Sequence, residues 1–200
     1  MSNLFQKLEQ EAFRAGITPR TKESRAWFMK KVQAMRGINR TQLMKEEPIQ
    51  RQQPIVNRDI IGRMFMYFYD PKLKDVLPFY DRFPLVIVVG PAPGGFYGLN
   101  LHYLPPVLRA RMLDGLMEIT NNKAFDETTK FRMRYSVLQR MRKLRYYEPC
   151  FKHYLTKHVK GKFARVDAPE WEIATFLPTA QWKKATAQVV YRDSRSKVTI

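Results

Sequence analysis

A single cysteine, Cys150, stands in 200 residues, so no intramolecular disulfide framework exists and a reducing compartment is expected. No apolar run approaches the roughly 18 residues needed to span a bilayer. The first residues, MSNLFQKLEQEAFRAG, include acidic groups and lack an apolar signal core, so no secretory signal is read there. A soluble protein made in a cytoplasm is expected, with no membrane partner. Histidine is also scarce, at three residues. Acidic residues are half as frequent as basic ones, 18 against 36, which gives a net charge of +18. Such a balance calls for a polyanion, an acidic protein surface or an anionic membrane surface as partner.

The excess is unevenly placed. Residues 59–106 carry four basic and four acidic groups. Residues 1–58 carry 12 against five, and residues 107–165 carry 15 against five. A neutral centre is therefore flanked by cationic segments. The four divisions expected are an N-terminal helical and extended arm (1–58), barrel strands (59–106), a basic helical segment (107–163), and C-terminal strands with a tail (164–200) that complete the barrel.

The neutral centre reads as β. Met64 to Tyr69 is an apolar and aromatic run of strand length, stopped by Asp70-Pro71. Leu85 to Val89 is continuous and β-branched, the pattern of a strand buried on both faces. Gly90 to Gly95 is a turn, and Phe96 to Tyr103 is the next strand, with Gly98 marking a bulge or a close backbone approach. The fold expected is α+β: a small SH3-like β-barrel with a helical insertion and the N-terminal arm. Ten of the chain's aromatics lie in this region; they either fill the barrel or form a surface that stacks bases or docks a partner.

Helices are expected on both sides. Ser2 is placed to cap a first helix with Leu4, Phe5, Leu8, Ala12 and Phe13 at three-and-four spacing, ended by Gly16. Thr21 or Ser24 caps a second, with Trp27, Phe28, Val32 and Met35 inward and Arg25, Lys30, Lys31 and Arg36 outward. Residues 38–58, with Gln50, Gln52 and Gln53, lack periodicity. Residues 1–58 are read as docking on another protein through Trp27 and Phe28; the alternative is a helical pair packed on its own sheet. Pro106 opens a third helix, with Val107, Leu108, Met112, Leu113, Leu116 and Met117 on one stripe and Arg109 and Arg111 outside it. A fourth begins at Asp126, with Phe131, Tyr135, Leu138, Met141 and Leu144 as its apolar face. Pro149 to Phe163 is expected to be a further helix, Trp171 to Leu177 a strand, Trp182 part of a helical turn, and Gln188 to Tyr191 a strand or tail.

Chemistry is sparse. Cys150, His153 and His158 have metal-like spacing, yet a tetrahedral zinc needs a fourth ligand and no second cysteine exists. No cofactor, metal or catalytic residue is assigned, and no enzymatic activity or small-molecule substrate is expected. Asp59, Asp70, Asp75 and Asp81 sit at turns, where carboxylates cap backbone N–H groups. The candidate site is the basic stretch Lys130, Arg132, Arg134, Arg140, Arg142, Lys143 and Arg145: seven cations within sixteen positions. A helix that needed only solubility would alternate Glu and Lys. It is read either as a site for an anionic partner, duplex DNA included, or as a solvated face. Phe79 and Tyr80 are the barrel's own candidates for protein docking.

Several strings carry a resemblance: YFYDPKLKDVLPFYDRFPLVIVV (67–89), GGFYGLNLHYLPPVLRARMLDGL (94–116), YYEPCFKHYLTKHVKGKFARV (146–166), WEIATFLPTAQWKKA (171–185) and YRDSR (191–195). From about Gly62 to Arg195 the chain resembles a family of virion proteins from large contractile-tailed, T4-like bacteriophages and their marine relatives. That family is associated with a DNA-end-protector or other head, neck or tail label, and it supplies no catalytic residues. The resemblance implies a non-enzymatic virion component of the portal–neck–tail or baseplate region, made in the host bacterial cytoplasm and contacting other virion proteins. The alternative it leaves is a DNA-binding protein that protects or anchors genome ends.

Overall fold

Side chains alternate across a strand, so an unbroken apolar run demands cover on both faces. Strands β2 (Met64–Tyr69) and β4 (Leu85–Ala92) meet that demand in a computed structural model that describes residues 4–35, 37–46, 52–53, 60–167 and 170–196. Met64, Met66, Leu85, Ile87 and Val89 enter a large core on one face. Phe65, Tyr67, Tyr69, Val86 and Val88 enter a smaller, mainly aromatic core on the other. Ser2, Arg36, Gln50, Arg58 and Pro169, and the side chains of Phe131 and Arg142, lie outside the described residues.

Strands β1 (Gln52–Gln53), β5 (Gly95–Asn100), β6 (Phe151–Leu155) and β7 (Val159–Val166) complete an antiparallel sheet in the order β1-β7-β2-β4-β5-β6. Two further strands, β3 (Tyr80–Asp81) and β8 (Trp182–Lys183), pair separately. Val89 is an extra residue in the β4–β5 register, and Gly98 stands at that shift. A Cβ on Gly98 would lie 2.3 Å from Val86 Cγ1, the close approach expected of this position.

The sheet is open, which corrects the closed SH3-like barrel. β6 and β7 stand far apart in the strand order but are joined by only the 3-10 turn Thr156–His158, so the sheet must curl. They do not pair, and β7 gives its other edge to β1. The curl is filled by rings from four strands. Tyr67 stacks on Phe163 at 4.2 Å and meets Tyr154, Tyr69 and Phe96 edge-on. Bulky side chains close a small interior where a sheet with smaller residues would leave voids.

Helices α1 (Leu4–Arg14), α2 (Lys22–Gln33), α3 (Arg40–Glu46), α4 (Pro106–Asn121), α5 (Glu127–Arg142), α6 (Trp171–Phe176) and α7 (Ala187–Ser196) make up the rest of the regular structure. The N-terminal helices pack on this chain. Phe5, Leu8, Ala12, Phe28, Val32 and Leu43 all join the large core. Thr21 is the cap of α2, in a reciprocal box with Ser24. Ser24 Oγ donates to buried Glu172 at 2.5 Å, and Arg40 donates to the carbonyls of Thr179 and Ala180 at 2.6 and 2.7 Å. Arg25, placed outward by periodicity, is buried and paired with Asp114.

Four segments differ from their expected class. Pro149 to Phe163 is a 3-10 turn followed by β6 and β7, because the sheet lacks two strands that only this segment supplies. Trp171–Phe176 is a helix with every residue buried, Glu172 and Thr175 included, since a short, mainly apolar segment satisfies either a strand or a helix packed on all sides. Residues 187–196 are helical, and Trp182 is in a strand. The sheet is thus completed by residues 151–166 and not by the C-terminal segment.

Candidate nucleic-acid interface

Helix α5 begins where Asp126 Oδ1 accepts from Thr129 N at 2.7 Å, which satisfies one of the helix's orphan donors. Leu138 is buried, Val137 and Met141 pack against the large core, and Gln139 Nε2 donates to the Val89 carbonyl at 3.2 Å. These contacts hold one side of the helix to α4 and the sheet. Tyr135 and Leu144, expected on the apolar face, are instead exposed. The helix has fewer apolar anchors than its periodicity promised.

The cations divide into two groups. Arg132, Arg140 and Lys143 are exposed, at i, i+8 and i+11, with Ser136 exposed between the first two. At 1.5 Å per residue that spacing draws one solvent-facing stripe about 17 Å long. Arg145, just beyond the helix, is also exposed. Lys130 and Arg134 turn toward the body. Lys130 Nζ donates to Glu127 at 2.9 Å, and Arg134 is half-buried, with burial pulling its pKa down.

Duplex DNA carries one charge per roughly 1.7 Å of axis, so a 17 Å row spans several phosphates. Further exposed cations lie in the 3-10 turn that curls the sheet and just after it: Lys157 in the turn, and Lys160 and Lys162 in β7. Expecting a helix there hid them. The alternation of lysine with Val159, Gly161 and Phe163 is the strand signal that would have found them.

The docking candidates have different fates. Phe28 is buried in the chain's own core, so it is unavailable to another protein. Trp27 is half-buried edge-on to Phe28, with Lys31 Nζ 5.8 Å from its ring centre. Phe79 packs against Tyr103 and Trp182. Tyr80 is half-buried and borders a cavity.

A buried polar cluster adjoins that cavity through Asp81, and composition gave no sign of it. His102 Nδ1 donates to Asp81 Oδ2 at 2.6 Å, and His102 Nε2 lies 3.1 Å from Thr179 Oγ1. Asp81 Oδ1 accepts from Phe83 N and Gln181 N at 3.0 and 2.9 Å. Burial pushes the Asp81 carboxyl up, but His102 and these donors outweigh it and hold it below the usual range. Burial pulls the His102 imidazole down, against the opposing pull of Asp81, so the ring is neutral. Arg109, expected outside the apolar stripe, is buried and donates to the carbonyls of Leu104, Thr175 and His102 and to Tyr191 Oη. It ties α4, α6 and α7 to the end of β5. The side chains of Asp81, His102 and Arg109 are nearly inaccessible and hydrogen-bonded to several elements at once, so the cluster ties those elements together.

Cys150, His153 and His158 are not brought together as ligands. Cys150 is buried, with burial pushing its thiol up to about 12. His153 Nε2 donates to the Pro93 carbonyl, and His158 Nδ1 to that of Asp70, each at 2.9 Å.

A family model described as Phage T4 terminal DNA protecting protein matches residues 1–195. The chain belongs to that family. The match takes in residues 1–61, which the resembling strings left uncovered, so the N-terminal helices are part of the family's body. No curated protein and no solved structure matches the chain. The terminal DNA protecting family is a phage family, and no helix among the described residues is long and apolar enough to cross a membrane.

Proposed function

We propose that this protein binds the ends of linear duplex phage DNA and shields them, without catalysing a reaction. The observation that carries this reading is the family match along nearly the whole chain, with a description that names terminal DNA protection. The stripe of Arg132, Arg140 and Lys143 supports it, because it presents charge of one sign to solvent along one helix face, which suits a phosphate backbone. Phosphate contacts position a protein without reading sequence, which suits a factor that must accept whatever base pair ends the genome. The protein travels with the virion in this reading, and other virion proteins hold it near the DNA. A role confined to a neck or baseplate contact draws no support from the family, so the end-protecting reading takes precedence.

The test is protection of a linear duplex from an exonuclease that enters at ends. Wild-type protein is expected to protect, with affinity falling steeply as salt rises. Charge reversal of Arg132, Arg140 and Lys143 together is expected to abolish protection and to reduce the slope of log affinity against log salt by about 3. Absence of duplex binding at low salt removes the reading.

A further inference from the structure

A cavity of about 430 Å³ opens between the loop from Pro71 to Tyr80, strand β6 and helix α7. Its size falls within the range of roughly 300–1,000 Å³ that holds one small ligand. We propose that this cavity is the seat of the terminal nucleotide of a DNA strand, a site that reads "end" where the helix α5 stripe reads only "duplex". The inference rests on the DNA-end reading above and gives it a second, separable contact.

Three properties of the cavity converge on a nucleotide. Its walls are aromatic: Tyr69, Phe79, Tyr80, Tyr103 and Tyr154 all border it. Every base has a π-face, so such walls accept any of the four. Polar groups with unused capacity face the same space. Tyr154 Oη accepts from Asn100 Nδ2 at 3.1 Å and keeps its own proton to donate. Ser194 Oγ on α7 is buried without a hydrogen-bond partner among the described residues, and Ser194 borders the cavity. A buried hydroxyl left so is costly unless something else meets it. The third property is charge. Lys152 Nζ stands 4.2 Å from the centre of the Tyr103 ring, and Lys72, in the loop from Pro71 to Tyr80, also borders the cavity, so a bound phosphate meets cations. Asp193 and Asp81 also border the cavity, but the Asp81 carboxylate is already turned to His102, Phe83 N and Gln181 N.

Geometry favours a terminal residue. The last base of a duplex has a neighbour on one side only and frays readily, whereas an internal base must first be pulled from its stack. Asp81, one of the lining residues, is held by His102, Phe83 N and Gln181 N, so that part of the wall is set without a ligand.

The experiment uses the full chain with a blunt linear duplex and a covalently closed circle of the same length. 2-Aminopurine is placed at the terminal or at an internal position of the linear duplex. Wild-type protein is expected to prefer the linear form and to change the fluorescence of the terminal probe only. Tyr80→Ala, which removes one wall, is expected to weaken linear binding about tenfold while leaving binding to the circle unchanged. Lys152→Gln is expected to act in the same direction, and it decides the matter if thermal melting shows that Tyr80→Ala does not fold. End protection and a terminal-probe signal that survive in the folded variants overturn the assignment and leave the cavity to an apolar segment of another protein. Wild-type protein that binds neither DNA removes the functional reading itself, and the pocket assignment with it.

Discussion

The curled sheet and helix α5 are opposites built from neighbouring stretches of one chain. The sheet spends its side chains on itself: Tyr67, Phe96, Tyr154 and Phe163 are nearly inaccessible and in ring contact with one another. Helix α5 buries Leu138, packs Val137 and Met141 partly, and leaves Arg132, Arg140, Met133 and Tyr135 in water. Residues that touch many neighbours specify a fold, and residues that touch few are free to be chosen for a partner. The difference places the densest packing in the sheet and leaves the α5 stripe as the duplex contact of the proposed function.

The contrast is most severely tested at its centre. Tyr67→Ala removes a ring that is fully buried and stacked on Phe163, and a loss of about 3–5 kcal/mol is expected in urea unfolding. A loss below about 1 kcal/mol would mean the rings are not the sheet's core. Gly95→Ala comes next. A Cβ there would lie 1.8 Å from the Tyr154 carbonyl oxygen, so β5 and β6 must separate, at a cost of about 1–3 kcal/mol.

Acid should act on the same region through His102. Its folded pKa is lowered, so the unfolded chain takes up the proton first. Stability is therefore full above the unfolded value near 6.5 and declines as pH falls below it, by at most about 1.4 kcal/mol per pH unit for one proton. Asp81, whose folded carboxyl is also lowered, adds a further loss as pH falls below about 3.9. Melting curves from pH 7.5 to 5 measure the first slope. A flat profile over that range would show that the ring does not resist protonation.

Helix α5 should respond weakly in stability and strongly in binding. Asp126→Ala removes the N-cap and is expected to cost about 1 kcal/mol, seen as early loss of helical circular dichroism. The triple reversal of Arg132, Arg140 and Lys143 is expected to change folding stability by less than about 0.5 kcal/mol per site while removing DNA binding. A large destabilisation instead would make the stripe part of the fold and blur the division between the two regions.

Much of this division was legible in residue order. The strands Met64–Tyr69 and Leu85–Val89 and helices α1, α2, α4 and α5 announce themselves through local signals, whereas β4 runs on to Ala92 and β5 starts at Gly95, inside the stretch Gly90 to Gly95 that reads as a turn. Proline and glycine stop elements, caps start them, and apolar periodicity gives their type. The cationic helix was found by charge alone. The cavity and the Asp81–His102–Thr179 chain were not legible, because their members lie at positions 81, 102 and 179 and no local pattern links them. The exposure of Tyr135 and Leu144 and the burial of Arg25 and Arg109 were hidden for the same reason.

The amino-acid sequence by itself determined that this protein is a mixed α+β chain with a neutral aromatic strand region between cationic flanks. It did so because charge count and side-chain period are properties of short windows. Tertiary structure decided which segments complete the sheet and which residues lie inside. Phe151–Leu155 and Val159–Val166 fit a helix or two strands by spacing, and β5 and β2 offered edges that only strands can pair. Trp171–Phe176 fits either class as well, and enclosure on all sides made it a helix. In each case the unsatisfied backbone or apolar face of a distant element made the choice.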